Sequence, residues 1–286
     1  MKDLNGSYQN LRKNYLYYNF TTTIIKTKTI MEQDIYAAGQ EGFNLPHDVI
    51  QLPTQGKFYK SKKKAIKVGY LTAADENILA EVDFRKNVNE GIILPLLRNK
   101  IYERDIRPEE LLDGDIEAVL LFLRNTSFGP EYNITSIDPK TDERFKTTIL
   151  LDELNYKKTE NDPDENGYFQ TTLPVSKKNV TLKLLNVADR IEIDKIIKSY
   201  PSERTAPVVT TKLLKHIVAI DGDDDKNKIS MFIEQMPIAD SKFIRRFISD
   251  NEPRLDLIKE VIAPSGEKVI VDITFGVEFF RPFLSI

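Results

Sequence analysis

Apolar and polar positions along this chain repeat one pattern twice. Residues 66–75 alternate as a strand and then begin a helix, and residues 180–189 repeat this combination at an offset of 114. Alternation with a period of two predicts a half-buried strand in both places. Each strand leads into a capping box, a polar pair that satisfies the first free amides of a helix. The two pairs are Thr72 with Asp75 and Asn186 with Asp189.

A second repeated pattern lies further along the chain, and its two copies are 125 residues apart. Asp115 opens a run with apolar residues at helical spacing, and Asp240 opens its counterpart. A predicted hairpin follows each run and turns at 138–142 in the first copy and 263–267 in the second. The pattern predicts an α+β protein of two related, pseudosymmetric units. We expect each unit to contain a small antiparallel sheet, several helices and a terminal knuckle-like hairpin.

The chain is predicted to divide into an arm and two units. A charged loop from 157 to 166 ends in the tight-turn pair Asn166-Gly167 and separates the echoes. The predicted divisions are a polar N-terminal arm at 1–45, a first unit at 46–160 and a second unit at 161–286. The arm shows little periodicity, so we expect it to order against a partner or to act as a flexible leader.

The second unit carries sequence that has no counterpart in the first, because the two offsets of 125 and 114 differ by 11 residues. Residues 208–220 predict an amphipathic helix, and 221–228 predict an acidic connector. The acidic segments 162–167 and 221–225 resemble parts of calcium loops. Neither is closed by the glutamate that such loops require, so we interpret both as solvated turns.

Composition narrows the possible functions. The 286 residues are 41% apolar, which is enough to bury a core. The net charge of −3, from 41 basic and 44 acidic residues, gives no overall attraction to nucleic acid or anionic membrane. The chain has no cysteine, which excludes disulfides, thiolate metal sites and thiol catalysis. Since no apolar run has the length of a membrane helix, we expect a soluble, intracellular protein.

The sequence shows no catalytic signature. It contains no P-loop, dinucleotide-binding fingerprint, serine elbow or His-Glu-x-x-His motif. His47 and His216 are far apart and have no carboxylate or thiol pattern around them. We therefore expect a protein that is not an enzyme and that uses no cofactor, metal or small-molecule substrate.

Two groups of residues are candidates for an interface. The first is an aromatic cluster near the C-terminal end of the sequence, which consists of Phe279, Phe280, Arg281 and Phe283. These phenylalanines either pack into the core or anchor a partner. The second group is Arg245 with Arg246, on the polar side of the helix that Asp240 opens. This pair is either a solvated face or a phosphate site.

Six short motifs follow one another along residues 50–286. They are Leu52-Pro53-x-x-Gly56-x-Phe58-Tyr59, Leu71-Thr72-Ala73-Ala74-Asp75-Glu76, Phe128-Gly129-Pro130-Glu131-Tyr132, Leu173-Pro174-Val175-Ser176, Met236-Pro237-x-x-Asp240-Ser241 and Phe279-Phe280-x-Pro282. In this order they resemble the baseplate hub and hub-assembly proteins of T-even-like contractile-tailed phages. The resemblance implies a structural component of the baseplate hub region, located in the virion. Its partners would be other tail proteins, and it would assemble with them in the host cytoplasm.

The same resemblance leaves a second role open, that of a transient hub-assembly chaperone absent from the mature particle. Members of that family often carry Cys-Pro-x-Cys-Gly knuckles in both hairpins. This chain instead has Asp138 and Thr141 in the first hairpin, and Ala263 and Ser265 in the second. We therefore expect no zinc, and we expect strand pairing and packing alone to hold the hairpins. The tryptophan usual before the final proline is Arg281 here.

Overall fold

The computed structural model describes residues 46–80, 93–157, 159–201, 203–273 and 279, with only the backbone described at 77–80. The predicted arm at 1–45 lies outside these residues. From His47 onward the described chain belongs to one compact unit.

Nine strands form four small antiparallel sheets within the described ranges. They are β1 (His47–Gln51), β2 (Ala65–Gly69), β3 (Glu131–Ile137), β4 (Arg144–Leu150), β5 (Tyr168–Thr172), β6 (Asn179–Lys183), β7 (Ile217–Ile220), β8 (Ile258–Ile262) and β9 (Lys268–Asp272). β1 pairs with β2, β3 with β4, and β8 with β9, while β5, β6 and β7 form one sheet in that order. The predicted hairpins at 138–142 and 263–267 are the turns between β3 and β4 and between β8 and β9.

Seven α-helices complete the described part of the chain. They are α1 (Ala73–Ala80), α2 (Leu94–Lys100), α3 (Asp113–Phe128), α4 (Val187–Lys198), α5 (Val208–His216), α6 (Lys226–Gln235) and α7 (Ile238–Asn251). Short 3-10 turns lie at Pro108–Glu110 and Leu151–Glu153. Helices and small antiparallel sheets thus make an α+β fold, which confirms the predicted class.

The local echo at an offset of 114 is present in the structure. Ile66 and Val68 of β2 and their counterparts Val180 and Leu182 of β6 are all at most 1% exposed. A helix follows each strand, as the capping boxes predict. Asn186 accepts a hydrogen bond from the amide of residue 189 at 2.9 Å, and the Thr72 amide donates to Asp75 Oδ2 at 2.7 Å. Superposition of the two units as wholes stays a prediction.

A single apolar core contains residues from both predicted units. Leu97 and Leu120 from the first unit, and Leu182 and Ile244 from the second, are each at most 1% exposed and belong to the same cluster. Burial of this surface is the main favourable term in folding. The two stretches of sequence therefore depend on each other for burial.

The structure corrects two boundaries in the second unit. The helix predicted at 208–220 ends at His216, and Ile217–Ile220 forms β7 against β6. This apolar, largely β-branched run satisfies its backbone through the neighbouring strand, which its periodicity does not reveal. The connector predicted at 221–228 is also shorter, because α6 begins at Lys226. Asp225 caps that helix by accepting a hydrogen bond from the Asn227 amide at 2.9 Å.

A buried aspartate fixes the loop after β1 to helix α3. Asp115 lies in the first turn of α3 and is 0% exposed. Its Oδ1 accepts a hydrogen bond from the Thr54 amide at 3.0 Å, and its Oδ2 accepts one from the Thr54 hydroxyl at 2.7 Å. The Tyr59 hydroxyl also donates to Oδ2. One carboxylate therefore positions the whole turn from residue 54 to residue 59.

Asp240 repeats this arrangement in the second unit. It lies in the first turn of α7, is 0% exposed, and follows β5 and β6 as Asp115 follows β1 and β2. The amides of Val175 and Ser176 donate to its two carboxylate oxygens at 2.8 and 2.9 Å. Both loops held in this way follow a Leu-Pro pair, at residues 52–53 and 173–174. The echo at an offset of 125 thus has a shared structural role.

The two carboxylates differ in their acidity. Desolvation raises the pKa of Asp115 to about 6, although the hydroxyls of Tyr59 and Thr54 and the Thr54 amide oppose the change. Desolvation also acts on Asp240, but the amides of Val175 and Ser176 outweigh it and hold its pKa below the usual value. Asp115 is therefore the group that changes charge nearer to neutral pH.

The raised pKa of Asp115 predicts a pH dependence of stability. The folded state takes up a proton as the pH falls through about 6. The stability that this group contributes is complete below its unfolded pKa of about 4 and is lost as the pH rises through the folded value. The free energy of unfolding of the wild type, relative to Asp115→Asn, should rise by about 1 kcal/mol from pH 7 to pH 5. Urea unfolding at both pH values measures it, with exposed Asp152→Asn as the control. A pH-independent difference would contradict the assignment.

Gly114 lies where helix α3 closely approaches the segment that leads to β8. A Cβ at this position would overlap the carbonyl oxygen of Pro253. Alanine favours a helix over glycine by about 1 kcal/mol, but the clash involves backbone that cannot rotate away. We expect Gly114→Ala to lower the free energy of unfolding by about 2 kcal/mol in urea titrations. A variant as stable as the wild type would show that this contact is loose.

Candidate assembly interface

The tips of the two terminal hairpins are joined by a buried carboxylate. Asp138 follows β3 and is 1% exposed. It accepts hydrogen bonds from the amide and the hydroxyl of Ser265, at 2.9 and 2.7 Å, across the turn between β8 and β9. The Lys140 amide donates to the same carboxylate at 2.9 Å. The Ser265 hydroxyl and these amides hold the pKa of Asp138 below its usual value, so it stays charged near neutral pH.

This contact corrects the expectation that strand pairing and packing alone hold the hairpins. By the resemblance, Asp138 stands at a thiolate position of the first hairpin, and Ser265 lies one residue short of one in the second. Here the two side chains form a direct link. Among the described residues, no three histidine, aspartate or glutamate side chains come together as metal ligands. The sequence shows a hydrogen-bond acceptor, Asp138, in one turn and a hydrogen-bond donor, Ser265, in the other. Their contact across 127 residues could not be deduced from spacing.

The predicted aromatic cluster is described only at Phe279. Its side chain is 0% exposed, and its ring centroid lies 5.7 Å from that of Tyr132. The structure thus gives this residue the core-packing role that was one of its two predicted alternatives. Phe280, Arg281 and Phe283 lie outside the described residues, so their assignment to an interface stays a prediction.

A buried arginine that sequence reasoning missed holds the backbone at Phe279. Arg124, near the end of α3, is 3% exposed. Its guanidinium donates to the carbonyl oxygens of Phe279, Gly129 and Glu131 at 3.0, 2.7 and 3.0 Å. Desolvation lowers its pKa, and the three carbonyl acceptors compensate for the lost hydration. The only indication of this role in the sequence was the position of Arg124, a positively charged residue at the end of an otherwise apolar helical stripe.

Arg245 and Arg246 lie on the exposed side of α7. The Arg245 Nε donates to the Ser241 carbonyl within its own helix at 3.3 Å. The Arg246 side chain is 86% exposed and lies 3.6 Å from Asp250, one turn further on. Since Phe279 is buried, it does not share a surface with this pair. The geometry of the two arginines is that of a solvated face, and their role as contact residues stays a prediction.

A cleft of about 320 Å³ lies between α3 and α4 and contains a network of ion pairs. Glu117 accepts hydrogen bonds from Arg254 Nε at 2.9 Å and from the Leu255 amide at 3.1 Å. Arg190 pairs with Asp113 and lies 3.6 Å from Glu252. Desolvation raises the pKa of Glu117 even though it is bound to an arginine. The acids of this network are engaged in holding the two units together.

Two other clefts also contain ion pairs. One of about 450 Å³ lies beside the turns at 58–62 and 165–168, and another of about 420 Å³ lies beside Pro253. In the first, Asp189 pairs with Lys183 at 2.7 Å. In the second, Asp162 pairs with Lys57 at 2.5 Å. These carboxylates already have basic partners within the protein.

The remaining polar motifs have structural roles. The Asp164 carboxylate accepts hydrogen bonds from two amides of its own turn, at residues 166 and 168, both at 2.9 Å. Asp223 pairs with Lys228 at 2.5 Å. His216 is packed against the Lys183 carbonyl, and its burial lowers its pKa. Within the described part of the chain, no helix combines the length and apolar character needed to cross a membrane.

Removal of the carboxylate between the hairpin tips should destabilise the protein. Asp138→Ala leaves the Ser265 amide and hydroxyl without their acceptor, and we expect a loss of about 2 kcal/mol in the free energy of unfolding. Glu143→Ala, an exposed change beside the same turn, is the matched control and should stay within about 0.5 kcal/mol. Urea unfolding compares them. Equal stability of the two variants would rule out a structural role for the link.

Comparisons with known proteins place the chain in a family. Residues 52–281 match the family described as T4 bacteriophage base plate protein. The matched stretch contains most of both predicted units and includes Asp115, Asp138, Asp240 and Arg124. Comparisons with curated proteins and with solved structures found no match. Because the match covers most of the chain, this protein belongs to the T4 bacteriophage base plate protein family and is a structural component of a phage tail.

Proposed function

We propose that this chain is a structural component of the hub region of a contractile baseplate, where it makes contacts with other tail proteins during assembly and stays in the particle. The observation that carries the proposal is the family match, which runs through both predicted units from residue 52 to residue 281. The proposal adds the hub location and the permanent role to that membership. Assembly takes place in the host cytoplasm under this proposal.

The internal contacts support a scaffold. Asp115, Asp240 and Asp138 are each at most 1% exposed, and each binds a loop to another element. Loops held in this way present fixed outer surfaces, which reduces the entropy lost when a partner binds. Several large apolar side chains remain on the outside, including Ile238 at 74% and Met231 at 63% exposure. Exposed apolar surface is often part of a contact with another protein.

We also propose that the protein is not an enzyme and that it needs no cofactor, nucleic acid, membrane or small-molecule substrate. The proposal draws support from two cleft carboxylates that have basic partners. Glu117 binds Arg254, and Asp189 binds Lys183. A general acid or base has to exchange its proton with a substrate, and a carboxylate held by a cation is a poor candidate for that work.

The structural role predicts a fixed number of copies per particle. A tagged form, expressed from a plasmid during infection by the encoding phage with its own gene deleted, should restore tails. Quantitative mass spectrometry of purified tails should give a constant ratio to another baseplate protein. A tagged Asp152→Asn form, which is changed at an exposed position, is the control and should restore tails as the wild type does.

The alternative role gives a different result. A transient assembly chaperone would be required for tail formation but would occur only in the lysate and in incomplete intermediates. Presence in the lysate combined with absence from purified tails would contradict the permanent role. Normal tails formed without the gene would contradict both roles.

A further inference from the structure

The second terminal hairpin has three exposed isoleucines on its outer face. Ile258, Ile262 and Ile270 are 61%, 58% and 75% exposed. In the register of β8 and β9, Ile270 lies opposite Glu260, between the two isoleucines of β8. Side chains at diagonal positions on one face of an antiparallel pair are within reach of each other. These three residues therefore form one continuous patch, the isoleucine face.

The first terminal hairpin has a more polar outer face. β3 and β4 pair in the same antiparallel manner and are joined to the second hairpin at the tips. The four outward pairs are Glu131 with Leu150, Asn133 with Thr148, Thr135 with Lys146 and Ile137 with Arg144. The Thr148 hydroxyl donates to Asn133 at 2.7 Å, so the middle of this face is polar, and its two exposed apolar side chains lie at opposite ends. Three isoleucines that lie next to one another are thus a property of the second hairpin alone among these two.

The charges around the isoleucine face indicate what it contacts. Glu260 and Lys268 lie on the same face and neutralise each other in an ion pair of 2.7 Å. Within residues 256–272, the other exposed charges are acidic, namely Asp256, Glu267 and Asp272. Lys259 is directed to the other face, where its Nζ donates to the Glu153 carbonyl at 3.4 Å. A complementary partner surface has aliphatic side chains inside a rim of lysine or arginine.

The isoleucine face of a second copy does not offer that surface. Two isoleucine faces placed together would bring both acidic rims into contact, which costs free energy. A stable dimer also buries roughly 800 Å² on each partner, far more than three side chains supply. The face is suited to be one part of a larger contact with a different protein.

We propose that the isoleucine face of β8 and β9 is a docking surface for a different tail protein, which presents aliphatic side chains within a basic rim. The proposal rests on the function proposed above and adds the surface and the chemistry of the partner. Binding would bury the three isoleucines and pair the acidic rim with lysine or arginine.

The test replaces the isoleucine face and measures incorporation into tails. The triple variant Ile258→Thr, Ile262→Thr, Ile270→Thr keeps β-branched residues in both strands, so its unfolding temperature should lie within about 3 °C of the wild type. Ile137→Thr on β3, where the native side chain is 52% exposed, is the matched control. In cells infected with the phage lacking the gene, we expect at least a tenfold loss of incorporation for the triple variant and no loss for the control.

The outcomes separate this proposal from the function on which it rests. If the wild type itself is absent from purified tails, the proposed permanent role fails. If the wild type and the folded triple variant are incorporated equally, the docking surface alone is wrong. If the triple variant does not fold, single Thr variants at 258 and 270 answer the same question, and equal incorporation again overturns the proposal.

Two further measurements test the chemistry of the partner. A photo-crosslinking residue at position 270, with position 137 as control, should join a different tail protein within assembled particles. The crosslinked peptide should be aliphatic and rich in lysine or arginine, and an acidic peptide would overturn the proposal. The purified wild type should sediment as a monomer. A dimer that the triple variant abolishes would show that a second copy is the occupant.

Discussion

Buried carboxylates that collect hydrogen bonds from distant loops are the constraint on which this structure depends. Asp115, Asp240 and Asp138 are each at most 1% exposed. A desolvated carboxylate is costly unless donors surround it, so the loops that supply the donors have only one acceptable position. The chain contains no cysteine and therefore no disulfide. In the described residues, these carboxylates link distant segments of the chain, as disulfides do in other small modules.

The three carboxylates link different parts of the chain. Asp115 binds a loop 61 residues away within the first predicted unit, and Asp240 binds one 65 residues away within the second. Asp138 reaches 127 residues to Ser265 and joins the units at their hairpin tips. The units also share one apolar core. The outer faces of the two hairpins differ in composition, because polar pairs occupy the middle of the β3–β4 face and three isoleucines lie next to one another on the β8–β9 face.

The sequence predicted the features that depend on neighbouring residues. The two hairpin turns and the Asn186–Asp189 capping box involve residues a few positions apart and are present, and at Thr72–Asp75 the half of the box in which the Asp75 carboxylate accepts is present. The helix at 208–220 was predicted too long because an apolar run fits a helix or a strand, and only the presence of β6 decides. Asp115 and Asp240 were recognised as helix openers, but nothing in their spacing identified the loops that they bind. The same limit applies to Arg124 and Phe279, which are 155 residues apart.

Hydrogen exchange tests the role of the buried carboxylates most directly. The amides of Thr54, Val175, Ser176 and Ser265 lie outside the helices and strands, yet each donates to a buried aspartate. If the carboxylates hold these loops as firmly as the core holds its strands, these amides should exchange only through global unfolding, with the same protection as the amides of β6. Exchange as rapid as that of solvent-exposed turns would contradict the account.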